Sequence, residues 1–208
     1  AQARTGGTGR MAAVGVSAQA AAEWLADGYP DIEIAGVNSP KNVTISGPLE
    51  SLERLSAKLR ERKVVFRLLD LDYAFHSRAM DPIRGSLLKD LADLVPDARD
   101  QENFVSTVTG EQLDGSVLGA QYWWDNVRKP VQFEKAIAAL AARGCRVFVE
   151  ISPHAILQRY IGETLKAAGI DGRSLPTLRK DDDGLDRLEE AVLRTQLLLE
   201  YPNLSKSF

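Results

Sequence analysis

A single cysteine, Cys145, stands among the 208 residues, so the chain can form no internal disulfide and no multi-cysteine zinc or iron–sulfur site. Its setting, Gly144-Cys-Arg146 at the head of an apolar run, is that of a structural thiol rather than a nucleophile. One thiol suits a reducing compartment, and the expected location is the cytoplasm. An excess of either charge is lacking too. The 26 basic and 29 acidic residues leave a net charge of −3, and Lys and Arg gather only in short mixed runs such as Arg60, Arg62 and Lys63. That argues against nucleic acid as a partner. No window approaches the ~18 consecutive apolar residues of a membrane span, and residues 1–9 are small, polar and Gly-rich, unlike a signal sequence. An initial Met is also missing, as is any element leading up to Arg10, and the expectation is a piece of a longer chain.

What is present has a regular rhythm. A short apolar run over 10–16 ends at Ser17, a good N-cap for a helix over 18–26 that Gly28-Tyr-Pro30 stops. Two β-rich runs, 32–37 and 42–46, flank Asn38-Ser-Pro-Lys41 and predict a hairpin. Gly47-Pro48 opens a helix with Leu49, Leu52, Leu55 and Leu59 at three-to-four spacing, and 64–68 returns to strand character. The order β-α-β-β-α-β is that of a ferredoxin-like unit, with two helices on one face of a four-stranded antiparallel sheet.

Beyond Tyr73 the spacing predicts a helix over 80–94, a strand over 103–109, an Ala-rich helix over 131–143 and an apolar strand over 146–151, buried on both faces. A helix over 155–168, a strand near 174–178, a charged loop over 179–184 and a Leu-rich helix over 185–199 complete the series. Helices alternating with strands imply an α/β layer.

With two histidines in the chain, the search for a general base is short. His76 lies in Asp70-Leu-Asp-Tyr-Ala-Phe-His-Ser77, where a strand gives way to a loop, a position that holds catalytic groups as well as ordinary loop histidines. His154, in Ile151-Ser-Pro-His154, follows a buried strand and suits a turn or helix cap. The nucleophile that a histidine base serves usually sits in Gly-x-Ser-x-Gly at a strand-to-helix elbow. The chain has no such pentapeptide; Gly15-Val-Ser-Ala-Gln19 lacks the second glycine.

Five motifs in order carry a resemblance: Arg10-Met-Ala-Ala-Val-Gly15; Ala35-Gly-Val-Asn-Ser-Pro40 with Val43-Thr-Ile-Ser-Gly47; Tyr73-Ala-Phe-His-Ser77; Tyr122-Trp-Trp-Asp-Asn-Val-Arg-Lys-Pro-Val-Gln-Phe133; and Phe148-Val-Glu-Ile-Ser-Pro-His154. Together they resemble the C-terminal portion of the acyltransferase domain of modular polyketide synthases, kin of the malonyl-CoA:acyl-carrier-protein transacylases. The resemblance implies an α/β fold in which a ferredoxin-like subdomain (10–72) precedes the C-terminal part of an α/β-hydrolase-like subdomain (73–178), with a linker helix in 179–208.

It also implies a chemistry. His76 would be the general base, Asn126 would lie beside it in a segment whose backbone carbonyl orients the imidazole, and Tyr73, Ala74 and Phe75 would line the acyl pocket. Read from the residues alone, Asn126 suits a helix or turn cap equally well. Trp123 and Trp124 read as packing. The reaction implied is transfer of a malonyl-type acyl group from acyl-CoA to the phosphopantetheine thiol of an acyl carrier protein through an acyl-serine, with no bound cofactor and no metal. The partners implied are the carrier protein, acyl-CoA, the N-terminal part of the domain and neighbouring synthase domains, with no membrane. Because the family's Gly-His-Ser-x-Gly serine has no counterpart here, the chain by itself is expected to be inactive. A carrier-binding module without catalysis, or a hydrolase of unknown substrate, are the other readings the residues permit.

Overall fold

The computed structural model describes residues 2–97, 104–182 and 184–201, so Asn103, Asp183 and 202–208 of the expected elements lie outside the described residues. Two compact units divide the chain, 1–136 and 137–208.

The first unit is built on the predicted ferredoxin-like pattern. Strand β1 (Arg10–Val14) leads to helix α1 (Ala18–Ala26), then β2 (Glu33–Ser39), β3 (Asn42–Gly47), α2 (Leu49–Glu61) and β4 (Phe66–Leu68). The sheet order is β4-β1-β3-β2, antiparallel throughout. Ser17 caps α1 as expected, its hydroxyl accepting from the Ala20 N–H at 3.2 Å. The hairpin closes at the pair Ser39 and Asn42, leaving Pro40-Lys41 as a two-residue turn.

Both helices cover one face of the sheet. Ala21 and Leu25 of α1 and Leu52, Leu55 and Leu59 of α2 pack on Ala12, Val14, Val43 and Ile45. Leu49 does not join the stripe: at the first residue of α2 it is exposed, and the buried face runs through Leu52, Leu55 and Leu59.

After β4 the pattern departs from expectation in three places. The helix over 80–94 is a 3₁₀ turn (Arg78–Ile83) followed by α3 (Arg84–Asp90), since Pro82 has no N–H for an α-helical bond and its ring crowds the preceding turn. The strand over 103–109 shortens to β5 (Val105–Ser106), paired with β6 (Glu111–Gln112) through a turn at Gly110. The helix over 131–143 is preceded by α4 (Ala120–Arg128) and yields its first two residues to β7 (Val131–Gln132); α5 runs Phe133–Ala142. Strand β7 adds in parallel to β2 as a fifth strand, Gly36 opposite Val131. A second cluster, Met80, Ile83 and Trp124, gathers the 3₁₀ turn and α4, with Phe75 and Leu87 packed against it.

The second unit holds β8 (Val147–Glu150), α6 (Gln158–Ala167), β9 (Arg173–Pro176) and α7 (Leu185–Glu200). Strands β8 and β9 pair in parallel. The strand expected to be buried on both faces ends at Glu150, with Val149 40% exposed and the following Ile151 87% exposed. Helix α6 starts later than expected because the preceding loop wraps the buried Glu150 carboxylate, which accepts the N–H groups of Ile156 (2.8 Å) and Leu157 (3.1 Å). Among the described residues no helix is long and apolar enough to cross a membrane.

The contrast within α2 makes a test. Leu52→Ala should destabilise the chain by about 2–5 kcal/mol, the usual cost of a leucine truncated in a closed core. Leu49→Ala should stay within about 0.5 kcal/mol. Chemical denaturation of the two variants measures both, and equal losses would place Leu49 in the core.

Candidate active site

The chain leaving β4 is tied back to β1 before it reaches His76. Leu69 N–H donates to Met11 O at 2.9 Å, Gly7 N–H donates to Asp72 O at 3.1 Å, and Arg10 pairs with Asp72. Ala74 is buried against Gly9, where a Cβ would lie 2.6 Å from Gly47 O and 2.9 Å from the Ala74 Cβ; only glycine permits that approach. Ser77 then locks the turn: its buried hydroxyl donates to Ala74 O at 2.6 Å and accepts from the Ala79 N–H at 3.3 Å. Between these anchors His76 sits at φ +57°, left-handed backbone that a non-glycine residue holds only when its surroundings impose it.

The partner of the imidazole comes from the end of α4. Lys129 precedes Pro130, whose ring disfavours helical backbone at Lys129; the residue is extended at ψ 155° and the helix stops. Its carbonyl, freed from the helix, lies 2.9 Å from His76 Nδ1. A carbonyl only accepts, so Nδ1 carries the hydrogen and the neutral ring presents Nε2 as a lone pair. Nε2 has no hydrogen bond among the described residues. Burial pushes the imidazole below its ordinary pKa of 6.5, and the Lys129 bond, pulling upward, does not offset it.

The other predicted site residues fall as follows. Asn126 is half-buried in α4, three residues before the carbonyl that meets the ring, and so is not a helix N-cap. The rings of Tyr73 and Phe75 stack 5.0 Å apart at 8°. Phe75 also packs against Met80, Ile83 and Trp124. Trp124 is buried as a packing residue, whereas Trp123 is 40% exposed. His154 is exposed in a bend, and Cys145 is half-buried. No described group of three or more His, Cys, Asp and Glu side chains is placed to hold a metal ion. Sequence reasoning missed Lys129 itself; the signal that could have found it is the Lys-Pro step, which predicts a freed carbonyl at a helix end.

The arrangement is an imidazole oriented by a backbone carbonyl, beside a serine, Ser77, whose hydroxyl is engaged with backbone. The family profile described as Acyl transferase domain matches residues 1–198. Polyketide synthase GfsE of Streptomyces halstedii is 38% identical over 181 residues, which make up 87% of this chain and 5% of that protein. Mycoketide-CoA synthase of Mycobacterium tuberculosis is 38% identical over 185 residues, 87% of this chain and 4% of its own length. Among solved structures, the acyltransferase domain from module 8 of the salinomycin polyketide synthase superposes with a TM-score of 0.86 at 34% identity, covering 90% of this chain and 44% of that one. A loading acyltransferase from the avermectin modular polyketide synthase gives 0.84 at 30% identity, with 94% and 61% covered. The chain therefore spans a small fraction of the synthases and less than two thirds of either solved domain. Joined to the fold just described, the profile match across nearly the whole sequence shows that this chain belongs to the acyl transferase domain family, with the acyltransferase domains of modular polyketide synthases as its relatives.

Proposed function

We propose that this chain supplies the general base and part of the acyl pocket of a polyketide synthase acyltransferase, which moves a malonyl-type acyl group from coenzyme A to the phosphopantetheine thiol of an acyl carrier protein. The nucleophilic serine comes from residues outside this sequence, which has no Gly-x-Ser-x-Gly. The observation that carries the reading is the 2.9 Å bond from His76 Nδ1 to Lys129 O, which fixes the tautomer a base needs.

In the first half-reaction Nε2 takes the serine proton as Oγ attacks the thioester carbonyl. The coenzyme A thiolate then leaves with that proton. In the second, Nε2 takes the proton of the carrier's thiol as its sulfur attacks the acyl-serine, and returns it to the departing serine oxygen. The developing imidazolium keeps its Nδ1–H bond to Lys129 throughout. On this reading Tyr73 and Phe75 face the acyl group, their stack holding the phenyl ring in one place, whereas the Ala74 side chain is buried against Gly9 and does not line the pocket. A fixed ring directly before the base fills the volume an α-methyl group needs, which favours malonyl over methylmalonyl. Asn126 belongs to the α4 segment that delivers the carbonyl.

Three measurements on the domain completed with its serine segment test this. His76→Ala should slow acyl-enzyme formation by ~10²–10⁴-fold, and an unchanged rate removes the base assignment. Because burial favours the neutral ring, base form accumulates as pH rises through a value below 6.5, so the acid limb of kcat/KM should have its midpoint below 6.5; a midpoint above it contradicts the buried, neutral imidazole. Phe75→Ser should raise the methylmalonyl-to-malonyl transfer ratio about tenfold, and an unaltered ratio assigns the choice of acyl group to other residues.

A further inference from the structure

Glu33, the first residue of β2, receives two separate pieces of chain. Its Oε1 accepts from both the backbone N–H and the Nε of Arg78, each at 2.8 Å, and its Oε2 pairs with Arg128 Nη1 at 3.0 Å. Both arginines are held a second time: Arg78 Nη2 donates to Pro30 O at 2.9 Å, and Arg128 Nε donates to Asp81 Oδ1 at 2.8 Å. Arg78 stands two residues after His76, and Arg128 stands one residue before Lys129. One carboxylate thus grips the two segments whose meeting makes the bond from Nδ1 to Lys129 O. Resting on the reading of His76 as the base, we propose that Glu33 is a positioning residue that sets the imidazole against the Lys129 carbonyl.

An exposed ion pair contributes little to stability and fixes little geometry. The Glu33 cluster differs in kind, because one of its bonds is to a backbone N–H and its carboxylate is only 23% exposed. Hydrogen bonds weaken steeply with misalignment, so a shift of either segment is felt at the imidazole. Ser77 anchors the C-terminal side of the left-handed backbone at His76, and the Arg78 N–H bond to Glu33 adds a second restraint one residue further on. Burial raises the pKa of Glu33, but the bonds from Arg78 and the charge of Arg128 more than offset it, leaving the carboxyl ionised and able to hold both arginines at neutral pH. Asp31 and Asp81, the other carboxylates acting on Arg78, reinforce the cationic side of the cluster without reaching the ring.

The test uses the 208-residue chain and needs no turnover. Only two imidazoles are present, and His154→Gln assigns their nitrogen-15 signals. At neutral pH the unaltered chain should show His76 as the Nδ1–H tautomer. Glu33→Ala should lower the ratio of Nδ1–H to Nε2–H at His76 about fivefold, the equivalent of one hydrogen bond, while the backbone amide spectrum and the His154 signals stay in place. Glu33→Gln, which keeps an acceptor for Arg78 and loses the charge facing Arg128, should give a smaller drop. A His76 ratio unchanged in both variants overturns the role of Glu33 and leaves the base standing. Loss of amide dispersion in both overturns it too, since the cluster would then hold the fold rather than the ring. An unaltered chain already in the Nε2–H form removes both proposals together.

Discussion

Lys129 leaves the helix, because the ring carbon of Pro130 crowds its backbone and disfavours helical torsions there. Three features of the first unit hang on that clash. Helix α4 ends after Arg128, the Lys129 carbonyl turns away from the helix to receive the His76 N–H, and after Pro130 the pair Val131–Gln132 extends as β7 beside β2. With a residue at 130 that tolerated helix at 129, the carbonyl would be spent within α4 and the imidazole would lose the acceptor that fixes its tautomer. One proline joins helix end, ring and sheet.

The ferredoxin-like sheet was legible in the sequence because its signals are local. Ser17 before an apolar helix, a β-rich pair around Pro40-Lys41 and leucines at three-to-four spacing each report on neighbours in the chain, and the strand order follows from connecting them. The region after Tyr73 was less legible because longer-range forces decided it. Val131 and Gln132 have the periodicity of the helix they precede, yet the open edge of β2 draws them into strand. Pro82 turned the start of the helix expected over 80–94 into a 3₁₀ turn. The apolar run at 146–151 suggested cover on both faces, but whether a face is covered depends on elements the run itself does not encode.

The site divides in the same way. His76 could be found by elimination and by its place after a strand, and the motif around it told which side chains share its loop. The resemblance pointed to a backbone carbonyl in the Asn126 segment without saying which, a choice only the Lys129-Pro130 step marks, whereas Glu33 had no mark at all, since a glutamate at the head of a strand looks like any solvated charge. What selects them is distance in space: residues 53 apart in the chain meet at 2.9 Å, and residues 45 apart meet at 2.8 Å. The strained backbone at His76 fits this picture, since a conformation that costs on the order of 1 kcal/mol or more persists where anchors on both sides impose it.

Those separations also impose a timetable. The four antiparallel strands are complete once Leu68 has been made, whereas the strand that borders β2 and the carbonyl that holds His76 both wait for Lys129 and its successors. At ~5–20 residues per second of synthesis, the 53 residues between His76 and Lys129 represent roughly 3 to 10 s. Throughout that interval a nascent sheet carries β2 as a bare edge, ready to pair with any passing strand. Birth order thus leaves open the same edge that β7 later seals, and over the same interval the His76 ring is without its Lys129 partner.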